Sequence, residues 1–509
     1  MRRLEAAIAI VGSALWLSGC ATSALEMAPE RPDRPWAPIT SADGEIIAGE
    51  KGHANAPDGY VLPLNTALAN VPAPPGIDSA KTYDLPDLID LAESSNPTTR
   101  IAWDEARRVA LAAGIAESAY LPKVTASAVA AYQASDAHSS ALGTSVANNS
   151  VNGTVSAVSM QWLLFDFGER SAVVDAAKQA SVISNIAFTE AHQLVIYNVT
   201  LAFYANAAAQ AHVATATQSL KNAQTVQAAA EDRYHHGIGT VIELAQARQG
   251  AAQANLAVVQ ATGAAQDAYF ALISAMGISP LTKIRAADVS GRKLSPAMAA
   301  SVESIVSASL GRRPDVLSAY AAQKASLASV RAARAEFMPK VFLSATGSYN
   351  SAGVNLTALP GVGQQGASTV NITGSRFSGT VLAGVTVPLF DGGTRAATLE
   401  QARAEVDSAD ARLQRVREEA VRQIVFADNA LRTSLGAYSA SETLVSAAQT
   451  TFDAALAAYR NGVGSITDLT LAETQLLQAK NASTDAYSTA LSSAASLALS
   501  TGLLGAAPP

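Results

Sequence analysis

Few residues of this 509-residue chain could do chemistry, and the single cysteine, Cys20, comes first. It ends the motif Leu17-Ser18-Gly19-Cys20, behind two arginines and the apolar run Ala6 to Leu17. Small residues before a cysteine at this position are typical of a lipoprotein signal sequence, whose cysteine thiol becomes acylated. We therefore predict a signal peptide over residues 1–19 and a lipid-anchored mature chain; an ordinary signal peptide that happens to hold a cysteine is the alternative. Ala21, where an aspartate would retain the chain in the inner membrane, favours the outer membrane.

The remaining candidate groups predict neither catalysis nor metal binding. The histidines show no ligand spacing apart from one adjacent pair, whose rings would point different ways on a helix; they are His53, His138, His192, His212, His235 and His236. No glycine-rich loop ending in Gly-Lys-Ser or Gly-Lys-Thr is present, so any energy that the protein needs must come from a partner. We expect no enzyme, no cofactor and no metal.

Composition points to closely packed helices. The chain is 49% hydrophobic but only 6% aromatic, and alanine, the best helix former, makes up most of the difference. The net charge is -7, and no cluster of lysine and arginine longer than a dipeptide occurs, so nucleic-acid binding is not expected.

An internal repeat is the strongest pattern in the sequence. Tyr120-Leu121-Pro122-Lys123-Val124 is matched by Phe337-Met338-Pro339-Lys340-Val341, 217 residues later. Asn96-Pro97 and Arg313-Pro314 keep the same offset of 217. Repeats of this length indicate that one structural unit has been used twice.

The second part of each copy is offset by 225 residues. Leu164-Phe165-Asp166 matches Leu389-Phe390-Asp391, and the turn that contains Gly237 matches the turn that contains Gly462. One insertion of about eight residues between Tyr349 and Leu389 accounts for the change, and a surface loop tolerates such length best.

Each copy contains helices, a strand hairpin and a long helical hairpin. Helical stretches are predicted at Leu85 to Ala119, Gly168 to Tyr234 and Thr240 to Met276 in the first copy, and at Val302 to Glu336 in the second. Two short helices laid end to end would match one long helix of about 100 Å. The strand-like runs are Lys123 to Gln133, Gly153 to Leu164, Lys340 to Tyr349 and Ser378 to Leu389.

The strand runs are long enough to cross a membrane. A tilted transmembrane strand needs about 9 to 11 residues. A soluble hairpin sheet is the alternative from alternation alone. Four strands cannot close a barrel, and an open edge in lipid would leave backbone groups unsatisfied, so membrane-spanning strands require several chains. Three chains would supply twelve strands.

These motifs, in this order and present twice, resemble the TolC-like outer-membrane efflux family over about Tyr83 to Leu504. The resemblance implies an α+β fold in which a trimeric outer-membrane β-barrel, four strands per chain, continues into a long periplasmic α-helical barrel. It implies a homotrimer in the lipid bilayer that works with a periplasmic adaptor protein and an inner-membrane transporter. Lipidation favours a transporter of the resistance-nodulation-division class.

The resemblance also assigns roles to the two helical turns. Gly237, Gly239, Gly462 and Gly464 can take positive φ angles that reverse a helix quickly, and in the family such turns form the periplasmic tip that meets the adaptor. Turn chemistry alone is the alternative reading.

Two acidic residues lie just beyond these turns. Asp468 matches acids that ring the periplasmic mouth in the family, and the internal repeat extends this candidate gate role to Glu243. In a trimer they would place six negative charges around one axis, which should bind cations. The alternative is that both are solvated acids favoured by the helix dipole.

The predicted organisation places a proline-rich extended segment at 20–82 and the two repeats at 83–279 and 301–504. A linker near the middle of the barrel (280–300) separates the repeats, and a short tail (505–509) follows. We expect a passive outer-membrane exit duct of a tripartite pump for drugs, metals or other small molecules. The alternatives are the duct of a type I protein secretion system and a periplasmic coiled-coil scaffold without a pore.

Overall fold

The computed structural model describes residues 77–137, 147–289, 302–350 and 377–505, with short stretches of the first 69 residues and residue 294. Cys20, and with it the predicted acylation site, lies outside the described residues. The chain divides into two compact units, Met1–Asp78 and Ser79–Pro509.

The described part of the first unit contains a short hairpin. Strands β1 (Ile39–Thr40) and β2 (Ile46–Ile47) pair antiparallel. The side-chain amide of Asn65 donates to the carbonyl of Gly44 over 2.9 Å, and its oxygen caps a 3-10 turn at Thr66–Leu68. One asparagine thus joins the hairpin to the turn within the segment predicted to be extended, and the prediction for the whole of 20–82 stays a prediction.

The second unit contains two copies of one helical layout. The long helices have 67 residues each, and the helices that follow their turns have 35 each. The first copy consists of α1 (Leu85–Ser95), α2 (Pro97–Glu117), α3 (Glu169–His235) and α4 (Val241–Ala275). The second consists of α5 (Val302–Ser309), α6 (Pro314–Ala335), α7 (Thr394–Arg460) and α8 (Ile466–Ser500).

The helical stretches predicted over Leu85 to Ala119 and Val302 to Glu336 are helical, but each is broken before a proline. Asn96 has ψ 123° and Arg313 has ψ 129°, both extended. Each residue precedes a proline, whose ring excludes the helical conformation for the residue before it. A new helix then starts at the proline, which needs no backbone donor there.

Four strands form an antiparallel sheet in the order β4 (Lys123–Ala137), β5 (Ala147–Phe165), β7 (Lys340–Asn350) and β8 (Phe377–Thr386). A small parallel pair joins β3 (Thr82–Tyr83) to β6 (Arg285–Ala286). Strand β8 ends three residues before the predicted Leu389, since Pro388 cannot donate to a ladder.

The two hairpins of the large sheet have the same register. Lys123 lies opposite Gln161, and Lys340 lies opposite Thr386, which are the same positions at offsets of 217 and 225. The described strands therefore contain no insertion, and the extra residues belong to the loop 351–376, outside the described residues.

The short helices lie end to end along the long ones. The Asn96 side-chain amide donates to the carbonyl of Ala275 over 3.2 Å. At the equivalent junction, the Arg313 guanidinium donates to the carbonyl of Ser500 over 2.7 Å. Helices α2 and α4 both pack on α3, and α6 and α8 both pack on α7.

None of the described helices is long and apolar enough to cross a membrane.

Candidate functional site: the two helical turns

The turns that end the long helices have nearly identical backbones. Gly237 has φ 74° and Gly462 has φ 78°, so each reverses the chain in the left-handed conformation that glycine adopts without strain. The N–H groups of Ile238 and Gly239 donate to the carbonyl of Arg233, and the equivalent groups of the second turn donate to Ala458. These bonds satisfy helix carbonyls that would otherwise lack partners.

The second glycine of each turn serves a different purpose from the predicted one. Gly239 and Gly464 do not have positive φ. A Cβ on Gly239 would lie 3.0 Å from the backbone nitrogen of Tyr234, and one on Gly464 would lie 3.0 Å from the Cβ of Ala458. Close packing against the end of the long helix, rather than backbone conformation, therefore favours glycine here.

The two candidate gate acids lie in the first turns of α4 and α8. The Glu243 N–H donates to the Thr240 hydroxyl, and the Asp468 N–H donates to the Ser465 hydroxyl, each over 3.1 Å. The Ser465 hydroxyl donates back to the Asp468 carboxylate over 2.7 Å. Asp468 is thus partly engaged in capping its own helix.

Glu243 is in a different environment. Its Oε2 is buried and has no hydrogen-bond partner among the described residues. Its negative charge acts on the Tyr459 hydroxyl, which belongs to the other hairpin. Glu243 therefore lies where the two hairpins of one chain meet.

Tyr459 and Arg233 join the two turns. Tyr459 is only 1% exposed, and the Arg233 guanidinium lies 5.0 Å from the centre of its ring. Arg233 also donates to the carbonyl of Tyr459 over 3.2 Å. A cation over an aromatic face, combined with a charge-assisted hydrogen bond, fixes the end of α3 to the end of α7.

The Tyr459 hydroxyl stays protonated in this environment. Burial raises the pKa of this hydroxyl and the charge of Glu243 raises it further, while Arg233 opposes both. The hydroxyl is itself buried and has no hydrogen-bond partner among the described residues. The turns thus combine an acid, a phenol and a cation at one contact between hairpins.

The role of Arg233 was not predicted from the sequence. The residue 225 positions later is Ala458, so this contact breaks the internal repeat. Comparison of the copies for differences, as well as for matches, would have indicated the position.

The second repeated motif fastens each strand hairpin to its long helix. Asp166 binds Arg170 over 2.8 Å, and Asp391 binds Arg395 over 2.8 Å. Arg170 also donates to the carbonyl of Ala119 over 3.0 Å, which ties the end of the preceding helical segment to the start of α3. These residues fix the angle at which the strands leave the helices.

The described residues contain no group of three or more His, Cys, Asp or Glu side chains placed to bind a metal ion.

A model of the family described as outer membrane efflux protein matches residues 88–278 and 305–503, which include both repeats. The chain belongs to this family. It is an outer-membrane protein that extends into the periplasm, and the resemblance drawn from its motifs is confirmed.

Two relatives and one solved structure illustrate the similarity. The chain is 27% identical to protein CyaE of Bordetella pertussis over 87% of this chain and 89% of CyaE. It is 24% identical to the cation efflux system protein CusC of Escherichia coli K12, over 61% and 64% of the two chains. The outer-membrane channel CmeC of Campylobacter jejuni has the same fold, with a TM-score of 0.70 and 19% identity over 82% of this chain and 85% of CmeC.

Proposed function

We propose that three copies of this chain form a passive duct across the outer membrane and periplasm, the exit of a tripartite efflux system for drugs, metals or other small molecules. The observation that carries the proposal is that equivalent surfaces of the two repeats are buried in one repeat and exposed in the other. A closed ring of three chains would bury the exposed surfaces.

The short helices supply one such difference. Helix α6 packs against both α3 and α7, and its Ala328 is 1% exposed. The equivalent residue of α2, Leu111, is 69% exposed. Ile101 and Ile115 are exposed on the same side of α2. Within one chain, α3 packs on α6. If α7 of a neighbouring chain packed on α2 in the same way, this apolar face of α2 would be buried.

The sheet supplies the other difference. Strands β4 and β8 are its two edges within one chain. In lipid every backbone group must be satisfied, so each edge must pair with the edge of another copy. Twelve strands from three copies would then close a barrel.

The repeat also predicts the register between copies. Met160 of β5 lies opposite Ala345 of β7. The equivalent pair is Val385 of one copy and Ala128 of the next. Cysteines at both positions should form a disulfide that links copies into dimers and trimers on a denaturing gel.

The matched control moves one cysteine by a single residue. Cysteines at positions 128 and 386 point to opposite faces of the sheet, so they should not link. Equal linking of both pairs would contradict the proposed barrel. Conductance of purified trimers in planar bilayers tests the duct itself, and a protein that stays monomeric and never conducts would instead be a scaffold.

For the gate, we propose that Glu243 and Asp468 ring the periplasmic mouth and that the turn glycines offer backbone to an adaptor protein. The electrostatic effect of Glu243 on the Tyr459 hydroxyl, across the two hairpins, supports the role of the first acid. Replacing both acids by alanine should raise conductance, since six charges would be lost around the axis. Unchanged conductance would limit both acids to helix capping.

For the transport system, we propose a periplasmic adaptor and an inner-membrane transporter of the resistance-nodulation-division class. Cation efflux in the name of CusC supports a pump, and type I protein secretion is the alternative. Affinity purification of the tagged trimer from cross-linked cells tests this. A resistance-nodulation-division transporter among the proteins recovered supports efflux, and an ATP-driven exporter supports secretion.

For the anchor, we propose acylation of Cys20. Labelled palmitate should appear in the purified chain and disappear in Cys20→Ala. Label that persists in this variant would contradict the assignment.

A further inference from the structure

The seam between the two hairpins of one chain, formed by α3 and α8, is lined with polar contacts. These contacts recur about every seventh residue, and residues seven apart lie on the same face of a helix. From the strand end toward the turns, the contacts are Tyr197 with Ser496 (2.9 Å), Ser488 with the carbonyl of Tyr204 (3.3 Å), and His212 with Asn481 (3.0 Å) and Asp485 (2.9 Å).

Glu473 occupies the next position of this seam, opposite Ser219. It is only 9% exposed, and its Oε1 is buried without a hydrogen-bond partner among the described residues. Its neighbours along α8, Leu469, Ala472 and Leu476, belong to the apolar core between the hairpins. An unpaired carboxylate in such a place is unfavourable, because burial penalises the charged form.

The helices packed around Glu473 offer it no counter-ion. From α3, Ser219 faces it, and Lys221, two residues on, is exposed. From α7, the core residues are Ala448 and Phe452, while Asp453 beside them is exposed and bonded to Gln449 over 3.0 Å.

Helix α4 also approaches this core. It contributes Ala247, and the adjacent Arg248 pairs with Glu231 of α3 over 3.1 Å. Along α8, the half-buried Lys480 lies seven residues beyond Glu473, or about 10 Å, and His212 with Asp485 lies twelve residues beyond it, or about 18 Å. Burial accordingly raises the pKa of Glu473 to about 7, and the Ser219 hydroxyl lowers it only in part.

We propose that Glu473 makes this seam a pH-sensitive latch, which holds the two hairpins of each chain together while the carboxyl is protonated and releases them when it ionises. A neutral carboxyl fits the apolar seam. A carboxylate gains by drawing in water, which requires α3 and α8 to separate. The latch concerns the fold of each chain. Its effect on conductance and its comparison with the seams between chains rest on the proposed duct.

The direction of the effect follows from proton binding. The closed seam binds the proton of Glu473 more tightly than an open seam, in which the carboxyl would return toward its ordinary pKa of 4.5. Closure is therefore favoured below pH 4.5, weakens as pH rises to about 7, and changes little above that. Over this window the ratio of closed to open seams should fall on the order of a hundredfold.

The equivalent seam between copies lacks this group. The residue that corresponds to Glu473 is Arg248, a base and not a carboxylic acid. Ser219 corresponds to Leu444, which is exposed in the single chain. A rise in pH should therefore loosen the three seams within chains and leave the three between chains unchanged.

The experiment is a spin-label distance measurement across the seam in the purified oligomer. The chains are exported by a signal peptide without the lipoprotein motif, and Cys20 is replaced by alanine so that only the introduced cysteines take a label. Labels at Lys221→Cys and Thr474→Cys, both exposed positions, report the separation of α3 and α8. Between pH 5 and pH 8 a longer-distance population should appear. With Glu473→Gln, which mimics the protonated form, the short distance should persist at both values.

Two controls separate the latch from other titrations. Glu405→Gln, an exposed glutamate on α7, should behave as the natural chain, and His212→Gln should retain most of the shift. A distance that never changes with pH, or one that changes equally in Glu473→Gln, would overturn the proposal.

Infrared spectra and bilayer conductance complete the test. A protonated-carboxyl band that is present at pH 6 in the natural chain and missing in Glu473→Gln identifies the group directly; its absence from both would count against the latch. Conductance should rise several-fold from pH 5 to pH 8. If the labels move but no current flows, the duct is wrong and the latch stands.

Discussion

The two repeats are equal in length and unequal in burial. Tyr459 is 1% exposed and held by Arg233, whereas its counterpart Tyr234 is 42% exposed. Ala328 and Leu111 differ in the same way. A single chain thus contains one complete contact between its two repeats. It also exposes two surfaces, one on each repeat, that would form a second such contact with neighbouring chains. The difference teaches that the exposed apolar faces of the first repeat should be interfaces.

The largest test of this comparison is Leu111→Asp. A charge on the open face of α2 should abolish the trimer, because an unpaired carboxylate cannot be buried against a neighbouring helix. Sedimentation in detergent measures the loss, and circular dichroism should show the helices intact. Leu281→Asp changes a leucine that is still more exposed, in the turn after α4, and should leave the trimer unaffected. A stable trimer of Leu111→Asp would contradict the interface.

The second test compares the two tyrosines in the dissociated monomer. Tyr459→Ala should lower the free energy of unfolding by about 4 kcal/mol, the usual cost of deleting a buried aromatic ring. Tyr234→Ala should cost less than about 1 kcal/mol, since its ring is largely exposed. Denaturant titration checks both values. Equal losses would mean that the two turns are alike in the monomer after all.

A third test compares the junctions between short helices. Arg313→Ala should cost about 3 kcal/mol, because it leaves Asp315 and Gln423 without their buried partner. Asn96→Ala should cost about 1 kcal/mol, the value of a helix cap. The same titration measures them. The reverse order would show that the charged junction is no stronger than the neutral one.

The smallest expected effects concern the turn glycines. Gly237→Ala should cost about 1 kcal/mol, because alanine resists positive φ. Gly462→Ala should cost at least as much, because its Cβ would also lie 3.2 Å from the Arg233 guanidinium. A smaller loss for Gly462→Ala in the same titration would contradict the close approach of Arg233. Gly239→Ala should also lower the free energy of unfolding, because the new Cβ would approach the Tyr234 backbone. Normal stability of a variant with both Gly237 and Gly239 replaced by alanine would contradict the explanations from positive φ and from close packing.

Much of the architecture could be predicted from local patterns. Prolines, glycine turns and the two offsets located the strands and the long helices to within a few residues, because each motif has a local physical cause. The prolines at Pro97 and Pro314 were visible in the sequence, but the helix breaks before them were not predicted, because both prolines lie within otherwise helical stretches. Proline at a helix start is compatible with such a pattern.

The contacts between hairpins could not be predicted in the same way. Arg233, Tyr459 and Glu473 lie on helices separated by more than two hundred residues, or on opposite sides of a turn, and pairing depends on how the hairpins pack. In the sequence, Glu473 is one of several polar residues on its helix, and nothing in the pattern indicates that its side chain is buried. Only the packing of α3 on α8 shows that this side chain is inside.

The equal lengths of the long helices constrain how such a gene can change. One residue deleted from α3 would rotate everything beyond it by about 100°, turning the seam residues away from α8. A tolerated length change would need to preserve the helix face and be matched in α4, α7 and α8. Natural variation in length should therefore accumulate outside the helices, and the eight extra residues between β7 and β8 are an example of it.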